Sequence, residues 1–167
     1  MATTRIAIRR VVLGGIVLAL GMLTPATGGR ADAAAATTTT AAAGVTSRSG
    51  SPTSTVDRVA DFYGTYIDVL YDTGRGRLAN ALRAHYLTTD LQRSLARWET
   101  VHHRDGVLRA EGVPVRWSVV YNDSGMGHCW SRVTLTWQDP GNRTHHTHLM
   151  VQSDLATMLI SGIRTDK

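Results

Sequence analysis

The chain has 167 residues, 43% of them hydrophobic and 19% charged, with one cysteine and a formal net charge of +5. That is room for one ordinary domain, and a single thiol excludes a fold held together by internal disulfides. The positive excess does not imply a nucleic-acid partner: Arg5, Arg9, Arg10 and Arg30 lie in the first 33 residues against Asp32 alone, and later arginines alternate with acids, as in Asp90, Arg93, Arg97 and Glu99.

Residues 1–33 have the three parts of a cleavable export signal. Arg5, Arg9 and Arg10 give a basic start, 11–23 an apolar run, and Ala31-Asp32-Ala33 a small-x-small cleavage site. The apolar run falls short of the roughly 20 residues a membrane-spanning helix needs. The chain is therefore expected to be secreted, by general secretion or by the twin-arginine route that Arg9-Arg10 resembles, with no membrane anchor once the signal is cleaved. Residues 34–53 are Ala, Thr, Ser, Gly and Pro with little else, which predicts a disordered linker unable to bury enough surface to fold. A single domain is expected over 54–167.

Ser54 with Asp57 three residues on resembles a capping box opening a helix whose apolar face carries Val56, Val59, Ala60, Tyr63, Tyr66, Ile67, Leu70 and Tyr71. Asp72-Thr73-Gly74 stops it. A short second helix follows with Leu78, Ala81, Leu82 and His85, and Thr89 with Gln92 suggests a second capping box for a third helix bearing Leu91, Leu95, Trp98 and Val101. His102 to Asp105 are expected to fray from its end into solvent. The period then changes from helical to alternating. Val115, Trp117, Val119 and Tyr121 predict one face of a strand, 122–127 a turn-rich loop fit to gate a ligand, and Val133, Leu135 and Trp137 the inner face of a second strand. Asp139-Pro140-Gly141-Asn142 is a turn, after which the chain returns along 145–151 and ends in a strand over about 157–164.

The expected fold is α+β: three N-terminal helices packed on a curved, mainly antiparallel sheet of about four strands. This order, with an aromatic first helix carrying Asp61-Phe62-Tyr63-Gly64-Thr65-Tyr66, resembles the nuclear-transport-factor-2-like superfamily, and also uncharacterised secreted actinobacterial proteins of this shape. The resemblance implies a cone-shaped fold, in a superfamily that hosts isomerases, dehydratases and hydrolases as well as binding modules.

A pocket inside such a cone would be lined by Tyr63, Tyr66, Trp117, Tyr121, Cys129 and His145. The carboxylates Asp61 and Asp68 lie on another face of the first helix and read as solvated, the tyrosines Tyr63, Tyr66 and Tyr71 as core filling, and Cys129 as a buried small hydrophobe. His146 and His148 share a strand face at a spacing that can chelate zinc or copper, although the same pattern fits a polar outer face opposite Thr134 and Thr136. No residue set identifies a catalytic centre, and no cofactor is expected apart from the zinc or copper alternative. The sequence reading is a secreted, non-enzymatic domain that binds a small ligand or a protein, with a homodimer through the exposed sheet face as one partner. The alternatives are a small-molecule lyase, isomerase or hydrolase built in the same pocket, and a secreted metal-binding protein.

Overall fold

The computed structural model describes residues 48–166. The expected signal segment and most of the expected linker lie outside the described residues. Three helices, α1 (Thr55–Thr73), α2 (Arg77–Tyr86) and α3 (Thr89–His102), precede four strands, β1 (Arg116–Gly125), β2 (His128–Gln138), β3 (Thr144–Asp154) and β4 (Ile160–Thr165). The strands form one antiparallel sheet in the order β1-β2-β3-β4, a meander whose edges are β1 and β4.

Ser54 caps α1 by accepting from the Asp57 N–H at 3.2 Å. The reciprocal half of the capping box is displaced: Asp57 accepts from the Ser51 N–H at 2.8 Å, while the Ser54 N–H goes to the Ser51 carbonyl. Residues 51–53 thus form a turn on the helix start. Val59, Phe62, Tyr63, Tyr66, Ile67 and Leu70 make the buried stripe. Two details differ from the expected face. Phe62 is fully buried, whereas Tyr71, expected in the core, is 81% exposed, one helical step of about 100° off the stripe that ends in Leu70.

In α2 the buried position is Ala79, with Leu82 and Tyr86 packed on the core, while Leu78 and His85 face solvent. The expected face is therefore turned, since Ala79, Leu82, Arg83 and Tyr86 follow helical spacing equally well. The cap of α3 lies one residue early: Thr88 accepts from the Leu91 N–H, and Gln92 donates to the Leu87 carbonyl. Leu91 and Leu95 are buried, Trp98 half-buried, and Val101 72% exposed. The Thr88 N–H donates to the Ile160 carbonyl, tying the α2–α3 junction to β4.

On the sheet, Val133, Leu135, Trp137, Leu149, Val151 and Ile163 face the helices and Trp117 and Val119 extend that face, as the alternation implies. The segment 122–127, expected as a flexible loop, is instead strand and turn. β1 continues to Gly125 with a bulge at Asn122, and Met126 and Gly127 close the hairpin with φ of 51° and 79°. Positive φ at both central residues is the two-residue turn whose twist matches that of the strands.

Candidate functional site

The inner side of the sheet is filled. Phe62, Tyr63, Tyr66, Val133, Leu135 and Leu149 have no solvent exposure, and Phe62 stacks on Tyr66 with ring centroids 5.3 Å apart. Two of the exposed large hydrophobics, Tyr71 and Val115, come together beside the sheet, where the last turns of α1 pass the start of β1. Ile67, Asp68 and Tyr71 from α1 and residues 113–117 line a groove of about 520 Å³. Its aromatic wall is Trp117, set by a close approach to α1: a Cβ on Gly64 would lie 2.6 Å from the Trp117 ring. The Arg48 guanidinium lies over that ring at 4.9 Å and pairs with Asp61 at 2.7 Å. Tyr71 and Val115, 81% and 59% exposed, flank the opening, with Asp68 and Arg116 as its charged groups.

A second constellation lies where the three helices meet. Tyr66 donates to Asp105 Oδ2 at 2.7 Å and accepts from Arg83 Nη2 at 2.6 Å. Arg83 forks onto Glu99 at 2.7 and 3.2 Å and reaches Asp105 at 3.0 Å, and Arg75 closes on Glu99 at 2.6 Å. Asp105 Oδ1 accepts the Val107 and Leu108 N–H groups, and Glu99 accepts that of Gly106 at 2.7 Å. Asp105, expected to be solvated, is buried because its carboxylate caps the turn that follows α3 and neutralises Arg83. Burial opposes ionisation of Glu99, but the hydrogen bonds from Arg83, Arg75 and Gly106 prevail and hold its carboxyl below the usual range. Burial, reinforced by Asp105, drives the Tyr66 hydroxyl above the ordinary phenol range. Two guanidinium groups face two carboxylates, so the cluster neutralises itself. It is a clamp joining α1, α2, α3 and the following loop.

The six side chains expected around one interior pocket are not brought together. Tyr63 is core, donating to the Val107 carbonyl at 3.3 Å, with burial raising its pKa. Tyr66 belongs to the clamp and Trp117 to the groove. Tyr121 is 56% exposed towards the far end of β1, its hydroxyl 2.9 Å from Ser124 Oγ. Cys129 is a free, buried thiol on the inner face of β2. His145, at the opposite end of the sheet, stacks on Trp137 and lies 3.5 Å from Asp139 in a recess of about 330 Å³. His146 and His148 face away from the helices, and their Nδ1 atoms lie 3.0 Å from Thr136 Oγ1 and 3.1 Å from Thr134 Oγ1. Among the described residues no three His, Cys, Asp or Glu side chains are grouped to hold a metal ion.

Sequence reasoning missed the groove because its walls combine an exposed tyrosine assigned to the core, a proline-containing link and a tryptophan whose position depends on Gly64. No helix of the described residues is long and apolar enough to cross a membrane. No family model and no curated protein matches the chain. It is similar to a solved structure of a protein of unknown function from Bacteroides thetaiotaomicron, with a TM-score of 0.50 and 19% identity over 66% of this chain and 88% of that one. A likeness at that identity extends to the fold alone.

Proposed function

We propose that the domain is an exported, non-enzymatic binding module that takes a flat, largely apolar small molecule with one polar or charged end into the groove between α1 and β1. The observation that carries this reading is the convergence of the exposed Tyr71 and Val115 with Trp117 around one concave space, while the core is otherwise closed. Grouped apolar side chains in water favour whatever covers them, and about 300–1,000 Å³ is the usual size of a small-molecule site. Asp68 and Arg116, the charged residues of the lining, offer the ligand's polar end a partner of either sign. A binding role rather than catalysis is favoured because the buried ionisable groups Tyr66, Arg83, Glu99 and Asp105 engage one another away from the groove. The signal-like pattern of 1–33 supports export.

The test is a fluorescence titration with an anilinonaphthalene sulfonate, an aromatic body with an anionic end. The reading predicts one saturable site per chain, weakened about tenfold in Tyr71→Ala and unchanged in Val101→Ala, whose side chain is exposed on α3. Equal binding by both variants, or no saturable site, contradicts it.

A further inference from the structure

We infer that the free edge of β1 pairs antiparallel with β1 of a second copy about a two-fold axis at Val119, and that Tyr121 of each copy then lies across from Trp117 of the other. Among the described residues β1 is an edge strand of ten residues with no neighbour on one side, and unpaired backbone in such a strand is a template for another strand. Its side chains do not guard against this. Val120 and Tyr121 are 53% and 56% exposed, and between Arg116 and Asp123 the strand carries no charge.

The sequence of β1 is complementary to itself in one register. A two-fold axis perpendicular to a sheet keeps each face on its own side, so residues paired across it must share a face. With Val119 opposite Val119, the inner face sets Trp117 against Tyr121 and the outer face sets Ser118 against Val120. One step further, Arg116 meets the bulge at Asn122. There the extra residue returns Asp123 to the outer face opposite Trp130, so that the carboxylate stands on the same face as the guanidinium of the other copy. The register thus unites two aromatic pairs and two opposite-charge pairs around a valine contact. Neither Arg116 nor Asp123 has an ion-pair partner among the described residues.

The placement of α1 leaves room. Its N-terminal half is tied to the β3–β4 turn, where Arg58 Nε donates to the Met158 carbonyl, while its later turns pass the start of β1 at Gly64, Ile67 and Tyr71. An antiparallel pair puts the two copies of that crossing at opposite ends of the joint. The dimer does not depend on what the groove binds.

Sedimentation and oxidative cross-linking of residues 34–167 test the inference without any ligand. In a Cys129→Ala background, Val119→Cys is expected to form an intersubunit disulfide, because only residue 119 faces itself within the about 4.4–6.8 Å that a disulfide tolerates between Cα atoms, while Ser118→Cys stays unlinked. Arg116→Asp and Asp123→Arg are each expected to weaken the dimer about tenfold, and the double exchange to restore it. A monomer at all concentrations, linking through residue 118 as readily as 119, or a double exchange no better than either single change, overturns it. Groove binding that survives such an outcome leaves the binding reading standing.

Discussion

At the scale of single residues, Arg83 has the largest consequences. It is nearly buried and holds Glu99, Asp105 and the Tyr66 hydroxyl together, so Arg83→Ala leaves two carboxylates with only Arg75 beside them. Breaking a buried pair from one side costs about 3–5 kcal/mol, and urea unfolding of Arg83→Ala should show a loss of that order. Arg83→Lys should recover little, since one ammonium cannot reproduce the two-pronged contact with Glu99. Glu99 sets the acid limit of the same clamp. Its folded pKa lies below the ordinary value of 4.5, so its contribution is complete above that pH and is lost as pH falls through the folded value. Glu99→Gln is expected to be less stable at neutral pH and to lose less on acidification than the parent. A parallel loss in both, followed by denaturant titration across acid pH, would contradict the assignment. Little of this clamp is legible in the sequence. Arg75 and Arg83 look like helix-end and helix-surface cations, and Asp105-Gly106 looks like a solvated stop, because the ion pairs join residues distant in sequence and arise only when three helices pack.

At the scale of elements, period and turn chemistry carried most of the fold. Apart from Phe62 and Tyr71 in α1 and Met150 in β3, the 3.6-residue stripe and the strand alternation place the buried residues, with His146 and His148 opposite Thr136 and Thr134. Where the sequence reading failed, two patterns were equally compatible with the residues. The face of α2 could turn by one position, and Asn122-Asp123-Ser124-Gly125 has loop composition yet lies in a strand, because pairing with β2 satisfies its backbone and the bulge absorbs the extra residue. The tight turn that follows is testable. Met126 sits at φ 51°, fully exposed, where asparagine is favoured over methionine, so Met126→Asn should stabilise the protein by about 0.5 kcal/mol. Gly127→Ala, at φ 79°, should destabilise it by about 1 kcal/mol. Thermal melts that leave both variants unchanged would mean that the hairpin does not close this way.

At the scale of the whole molecule, the helices and the inner sheet face form one filled core, and the proposed recognition surface is the flank where α1 meets β1. The sequence named Trp117 as a lining residue but placed it in an interior pocket. The actual position follows from long-range facts: Gly64 lets α1 approach the Trp117 ring, and Tyr71 of α1 stands exposed beside the start of β1. That flank unites both proposals, since the groove opens beside the edge that β1 offers to a second copy. Native mass spectrometry of the protein isolated from its own host, compared with the same sample denatured and with Tyr71→Ala, tests the account most directly. The account predicts a mature chain beginning near Ala34, a dimer, and one small-molecule adduct per chain that disappears on denaturation and is depleted in Tyr71→Ala. A parent protein with no adduct, or an adduct equally retained by Tyr71→Ala, would contradict the claim that the α1–β1 groove is where this protein binds its ligand.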